Sequence, residues 1–165
     1  MQIRDAGEGD LPGLLGIYNE VIANSTAIYS DVPVTLEDRT RWWQARIASG
    51  YPVLVASEAG EVVGFSSFGD FRPWPPGYRF TVEHTVHVRH DCRGRGIGGE
   101  LVRALFPPAR ALGKHVMIGS VDGSNVASIR FHERLGFERA GTLREVGSKF
   151  GRWLDLVFLQ RRIAP

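Results

Sequence analysis

Between Arg93 and Gly99 the chain reads Arg-Gly-Arg-Gly-Ile-Gly-Gly, a run whose chemistry is anion binding. Glycines carry no Cβ, so a ligand can come close to the backbone. A helix opening from such a turn presents free N–H groups with the positive end of its dipole behind them. Arg93 and Arg95 add charge of the same sign. The alternating stretch Thr81–Val88 before the run reads as a strand, and Glu100–Phe106 after it reads as a helix. The turn therefore joins a strand end to a helix start and is suited to a phosphate group.

Which phosphate is less plain. Gly94-Arg95-Gly96-Ile97-Gly98-Gly99 satisfies the G-x-G-x-x-G pattern of dinucleotide-binding turns, and Asp122 follows the next strand, roughly where such folds place a ribose-binding acid. That pattern normally follows the first strand of its domain, whereas here about half the chain precedes it. The remainder is also too short for a second nucleotide-binding half. A Walker A loop is excluded, because no Gly-Lys-Ser/Thr follows. A turn that holds no ligand would leave the concentration of glycine and arginine without a reason.

His84, His87 and His90 are spaced three apart and invite a metal reading. On a strand, side chains alternate faces, so His87 points away from the other two. His84 and His90 would stand about 20 Å apart along it, too far for one ion. No metal is expected. His84 is free to touch a substrate, His87 reads as a surface residue and His115 as a structural one. Cys92, the only cysteine, reads as an incidental exposed thiol.

The elements that must position these residues are legible in outline. Ile3–Ala6 predicts a short strand, and Asp10 caps a helix through Leu11–Ile22 with Pro12 in its first turn. Thr35 and Asp38 predict a capping box opening a helix that ends near Gly50. Pro52–Ser57 and Glu61–Gly69 predict a hairpin about Ala59-Gly60. Arg72–Tyr78, with three prolines, predicts a stiff loop without regular structure, and Pro107-Pro108 predict a kink or break in the helix after the glycines. His115–Val121 predicts a buried strand, Ser124 or Asn125 starts a helix ending at Gly136, and Glu138–Gly147 with Arg152–Arg161 predicts a closing hairpin. The order β-α-α-β-β-β-α-β-α-β-β means a mixed α/β (α+β) sheet with helices on both faces, in a single domain over 1–165.

Composition narrows the class. The 165 residues are 43% hydrophobic and 23% charged, with a net charge of +2 and 20 glycines. The mild basicity has no dense Lys/Arg block, so nucleic acid is not an expected partner. One cysteine permits no intrachain disulfide, and Met1-Gln2-Ile3-Arg4-Asp5 opens neither a signal peptide nor a membrane span. A cytoplasmic protein with no membrane partner is expected.

Arg93-x-x-Gly96-x-Gly98 resembles the acyl-CoA signature of the GNAT N-acetyltransferases, Gln/Arg-x-x-Gly-x-Gly/Ala. Asn125–Phe137 resembles the family's second signature, Asn-x-x-Ala/Ser-x-x-x-Tyr-x-x-x-Gly-Phe, with His132 at the position where many members carry a tyrosine acid. The segments Thr81–Val88, Phe71–Trp74 and Lys149–Asp155 are similar to the branch that acetylates phosphinothricin and methionine sulfoximine or sulfone, and the likeness runs from Ile3 to Arg161. It implies a mostly antiparallel central sheet. It also implies acetyl-CoA as co-substrate, held by the main chain of Val86, His87 and Val88, by Arg93, Gly94, Arg95, Gly96, Ile97 and Gly98, and by Asn125 and Ser128. The resemblance also implies that the acceptor is the α-amino group of a small amino acid. Another amine, a peptide or ribosomal-protein N-terminus, a non-catalytic acyl-CoA sensor and a dinucleotide-dependent oxidoreductase are the alternatives.

Acetyl transfer needs an amine stripped of its extra proton, a polarised thioester carbonyl and a protonated or tolerated thiolate. The resemblance makes Glu83 the candidate base, acting directly or through a water, against the plainer reading of a carboxylate paired to Arg72 or Arg79. It places the oxyanion donor among the N–H groups of Val86–Val88. His132 is either a proton donor to the thiolate or a histidine packed on the coenzyme arm. Arg72 and Arg79 suit carboxylate recognition, and Trp74 suits a pocket wall. Tyr29 and Phe71 are further walls. Lys149 and Phe150, at the tip of the last hairpin, are read with His84 as substrate contacts, and the resemblance implies that this hairpin reaches a neighbouring subunit in a homodimer.

Overall fold

Local signals fix many element ends. Thr35 accepts from the Asp38 N–H at 3.1 Å while the Asp38 carboxylate accepts from the Thr35 N–H at 2.9 Å, so helix α2 (Leu36–Ala48) starts where the capping box predicts. Gly50 follows its end in the left-handed region at φ 72°. Ala59 and Gly60, at φ 49° and 84°, make the tight turn between β2 (Val53–Glu58) and β3 (Glu61–Asp70). The computed structural model describes residues 1–163.

Seven strands form one sheet. β1 (Gln2–Asp5), β2, β3, β4 (Thr81–Val88), β5 (Val116–Asp122), β7 (Arg152–Arg162) and β6 (Glu138–Lys149) lie side by side in that order. Every neighbouring pair is antiparallel except β4 and β5. α1 (Leu11–Asn24) buries Leu14 and Ile17 on one face against Val53, Val55 and Phe65, with Trp42 and Trp43 of α2 beside them. α3 (Ile97–Ala111) and α4 (Val126–Arg134) cover the other face, where Leu101, Leu105 and Ile129 meet Phe68, Val82 and Met117. Each such fully buried side chain contributes roughly 1.5–3 kcal/mol. An antiparallel sheet of this kind is not the parallel, doubly wound sheet that a dinucleotide turn requires. Asp122 is engaged locally, accepting from the Thr26 and Ser124 hydroxyls and the Ser124 N–H.

Several expectations are corrected. α3 runs unbroken through Pro107 and Pro108. Only Ala109–Ala111 follow them, and the buried face from Leu101 to Ala109 holds the last turn in place. Asp10 does not cap α1; its carboxylate accepts from the Gly7 N–H at 2.8 Å and pairs with Arg4 at 2.7 Å. A short 3-10 turn, Pro76–Tyr78, interrupts the proline loop. Cys92 is buried in the core rather than exposed, and His115 is exposed. None of the helices among the described residues is long and apolar enough to cross a membrane.

Lys149 is the largest departure. It is buried rather than presented at the hairpin tip, and its ammonium donates to the main-chain carbonyls of Ile22 at 2.6 Å, Ser25, and Ile28 at 2.9 Å. It thus closes the C-terminal end of α1, where a cation meets the negative end of the helix dipole. Replacing Lys149 with Met strands these carbonyls and is expected to cost about 1–3 kcal/mol. The midpoint of urea unfolding measures this; an unchanged midpoint would show that the anchor contributes nothing.

Candidate active site

β4 and β5 pair only over Thr81–Glu83 and Val116–Ile118. Beyond Glu83 the two strands part, and β4 keeps β3 alone as a partner through Val88. The Arg89 N–H donates to Val63 of β3, so the alternation of a strand turns the polar groups of Val86 and Val88 to the open side. The Val88 carbonyl accordingly accepts from Arg93 Nε at 3.0 Å. Two cavities meet in this opening and share Val86, His87, Asn125 and Ser128.

The larger cavity, about 730 Å³, is the one the glycine run builds. Gly94 and Gly96 sit at φ 78° and 84°, conformations that L side chains rarely adopt. The first bond within α3 joins the Glu100 N–H to the Gly96 carbonyl, so the N–H groups of Ile97, Gly98 and Gly99 have no partner in the helix. Gly98 has neither a positive φ nor a crowded Cβ position, its nearest neighbour there being Phe131 at 3.5 Å. The fold therefore does not demand glycine at that point. Arg93 lines this cavity and is held by Glu20 at 2.9 Å; Arg95 pairs with Glu58 at 2.7 Å and does not line it. Asn125 caps α4 by accepting from the Ser128 N–H at 3.0 Å, which brings both residues to the mouth between the cavities.

The smaller cavity, about 370 Å³, holds Glu83, His84, His132, Tyr18, Tyr29 and Arg46. Glu83 is the last residue of β4 paired to β5, and its carboxylate has no hydrogen-bond or ion-pair partner among the described residues. Arg72 and Arg79, its suggested partners, are elsewhere. Arg46, which sequence reasoning missed, comes from α2. Its guanidinium occupies the space a side chain at Gly69 would fill, directly across the strands from Glu83. Burial holds the Arg46 guanidinium below its usual value, opposed by the charges of Asp70 and Glu83. The available signal was a second arginine on the inward side of α2, i+3 from Trp43 and two turns after Arg39, which is buried over Tyr18 and Trp42.

His84 and His132 face each other, Nε2 to Nε2, at 3.1 Å. His132 Nδ1 lies 2.7 Å from the Ser128 carbonyl, which only accepts, so that nitrogen carries the hydrogen. A neutral His132 then accepts at Nε2 from His84 Nε2–H, leaving His84 Nδ1 buried without a partner. Burial, reinforced by His132 and His87, pushes His84 down to about 3, and burial also holds His132 below its usual value. Gly119 makes room for the pair: a Cβ there would stand 2.8 Å from His132 Cδ2 and 3.1 Å from His84 Nε2. His87 points to the opposite face, as strand alternation requires. It is not a surface residue, since it packs between Tyr18 and Phe65 and touches Thr85 at 3.1 Å.

Of the remaining candidates, Arg72, Arg79, Trp74, Phe150 and Phe71 line neither cavity of the single chain. Arg72 lies over the Tyr78 ring, and Arg79 over Phe80, with its guanidinium donating to the Pro76 carbonyl at 3.0 Å. Trp74 is 76% exposed and Phe150 is 50% exposed. Phe71 packs on Phe158, while Tyr29 does wall the smaller cavity and donates to the Asp155 carbonyl at 2.6 Å.

Comparison with known proteins gives consistent matches. The model of the acetyltransferase (GNAT) family matches residues 14–137. An L-methionine sulfoximine/L-methionine sulfone acetyltransferase of Pseudomonas paraeruginosa is 54% identical over 99% of this chain and 95% of its own. A phosphinothricin N-acetyltransferase of Alcaligenes faecalis is 34% identical, over 96% of this chain and 81% of its own. A solved structure of a putative acetyltransferase from Salmonella typhimurium with its cofactor acetyl-CoA superimposes with a TM-score of 0.96 at 44% identity, covering 100% of this chain and 95% of that one.

The buried histidines set a pH dependence. Burial, then Arg39 and Arg93, pushes His87 down to about 4, and His84 sits at about 3, against an ordinary 6.5. The unfolded chain therefore takes up protons first. The stability from the neutral rings is complete above pH 6.5 and is lost as pH falls toward the folded values. Tm is expected to fall between pH 7.5 and 5, and less steeply in the double variant His84→Phe/His87→Phe. Equal slopes in the two proteins would discount the histidines.

Proposed function

Because this chain belongs to the acetyltransferase (GNAT) family, we propose that it transfers the acetyl group of acetyl-CoA to the α-amino group of a small amino acid such as methionine sulfoximine, methionine sulfone or phosphinothricin. The observation that carries the reading is the unpartnered Glu83 carboxylate at the point where β4 leaves β5, in a smaller polar cavity that opens onto a glycine-lined cleft.

The free N–H groups of Ile97, Gly98 and Gly99, with Arg93, receive the coenzyme pyrophosphate. The open edge of β4 at Val86 and Val88 carries the acyl arm and offers N–H groups to the carbonyl oxygen as it gains negative charge. Glu83 accepts the proton of the substrate ammonium, directly or through a water. The amine nitrogen then bonds to the acetyl carbon, the carbon–sulfur bond breaks, and the thiolate takes up the second proton that the nitrogen sheds as it becomes an amide. His132 enters as a neutral ring whose one hydrogen is held by Ser128, so its contribution is to position the α4 wall and His84 rather than to deliver a proton as imidazolium.

A homodimer completes the reading. Leu143, Val146, Phe150 and Trp153 leave the terminal hairpin 46%, 55%, 50% and 71% exposed, an apolar surface larger than scattered single residues would give. In a dimer this hairpin and the Arg72–Arg79 loop are the segments able to reach a partner's cavity, which gives Arg72, Trp74, Arg79 and Phe150 a role across the interface. Sedimentation equilibrium at micromolar concentration is expected to show a dimer, and Trp153→Asp a monomer; a monomeric wild type would refute the arrangement.

For the chemistry, Glu83→Gln is expected to lower kcat by roughly 10²–10⁴-fold in a thiol-release assay. Acetyl-CoA should stabilise wild type and variant equally in thermal unfolding. A variant within a few-fold of wild type from pH 6 to 9 would remove Glu83 from the base role, and a protein that binds acetyl-CoA yet releases thiol with no amine would be a sensor instead.

A further inference from the structure

Arg46 is the charged group of the smaller cavity that acetyl transfer leaves without a task. Its guanidinium is half-buried, lies against the cavity, and lies over Gly69 because that residue has no side chain. Its Nε is fully buried with no hydrogen-bond partner. Asp70, next to Gly69 on β3, is already engaged: its carboxylate accepts the Tyr51 hydroxyl and faces Lys114 at 4.0 Å. A half-buried cation with a buried, unmet donor is costly to maintain unless an anion arrives to meet it.

We propose that Arg46 binds the α-carboxylate of the amino-acid substrate while Glu83 faces its α-ammonium. The reading rests on the proposed acetylation of amino acids and adds the group that selects them. Gly69 and Glu83 are cross-strand partners, and such positions stand about 4.5–5.5 Å apart on one face of a sheet. The cation over Gly69 and the anion of Glu83 are thus spaced to bracket one zwitterion, whose two charged groups share a single carbon. The planar fork of arginine suits a carboxylate bound through two oxygens, which lysine cannot match. Amines lacking that carboxylate would leave the guanidinium unpaired, so the pair selects against them.

The experiment is a cycle between residue and substrate group. Thiol release is followed for wild type, Arg46→Gln and Arg46→Lys with methionine sulfone and with its methyl ester, alongside the Kd of acetyl-CoA. Wild type is expected to lose roughly 10–100-fold in kcat/KM on passing from acid to ester, the size of a lost charged hydrogen bond. Arg46→Gln should lose a similar factor on the acid and little more on the ester, Arg46→Lys should recover part of it, and the Kd of acetyl-CoA should stay the same. Equal losses on acid and ester, or an unaffected acid, would overturn the assignment. If Arg46→Gln fails to fold, wild type that turns over acid and ester equally well would also overturn it. Wild type that acetylates no amino acid would instead defeat the proposed function, and this inference with it.

Discussion

The structure depends on where one ladder of hydrogen bonds stops. β4 and β5 are the sole parallel pair among the described residues, joined over three residues of each strand. Every other neighbouring pair is antiparallel, most of them over longer runs, so the sheet on either side is held firmly while its centre is open. A strand edge with free N–H and C=O groups is a liability at a sheet's rim, where it invites another chain. Inside the molecule, flanked by α1 on one face and by α3 and α4 on the other, the same edge opens onto two adjoining cavities instead.

The parting also explains how residues from both faces reach one cavity. Glu83 and His84 are adjacent and point to opposite sides of β4, yet both line the smaller cavity because the sheet is open beside them. Glu83 keeps the company of Arg46 and Tyr18 from the α1/α2 side. His84 keeps that of His132 from α4, in a neutral pair that needs Gly119 for space. Charge and neutrality are thereby separated across the thickness of one strand: an anion and a cation on one side, two uncharged rings on the other.

Reading the chain gave the glycine turn, the Thr35 capping box, the tight turn at Ala59-Gly60 and the Asn125 cap to within a residue or two, because each acts through neighbours in sequence. It was less successful with side chains whose partners come from afar. Lys149 looked like a hairpin-tip cation and is sealed under the carbonyls that end α1, more than 120 residues away in sequence. Cys92 looked exposed because it sits beside a charged turn, but its side chain faces the core under α3. Pro107 and Pro108 looked disruptive by local rules, which tertiary burial of the helix face overrides.

By itself, the sequence determined what is carried by spacing: an anion-binding turn at the start of a helix, the order of strands and helices, and a carboxylate two residues into the central strand. Periodicity and turn chemistry are local, so a single chain displays them. Only the tertiary structure decided that β4 and β5 separate after Glu83, that His84 and His132 share one proton between facing nitrogens, and that Arg46 stands over Gly69. Those facts depend on register and on the space left by residues with no side chain, and these are set when the whole sheet is packed.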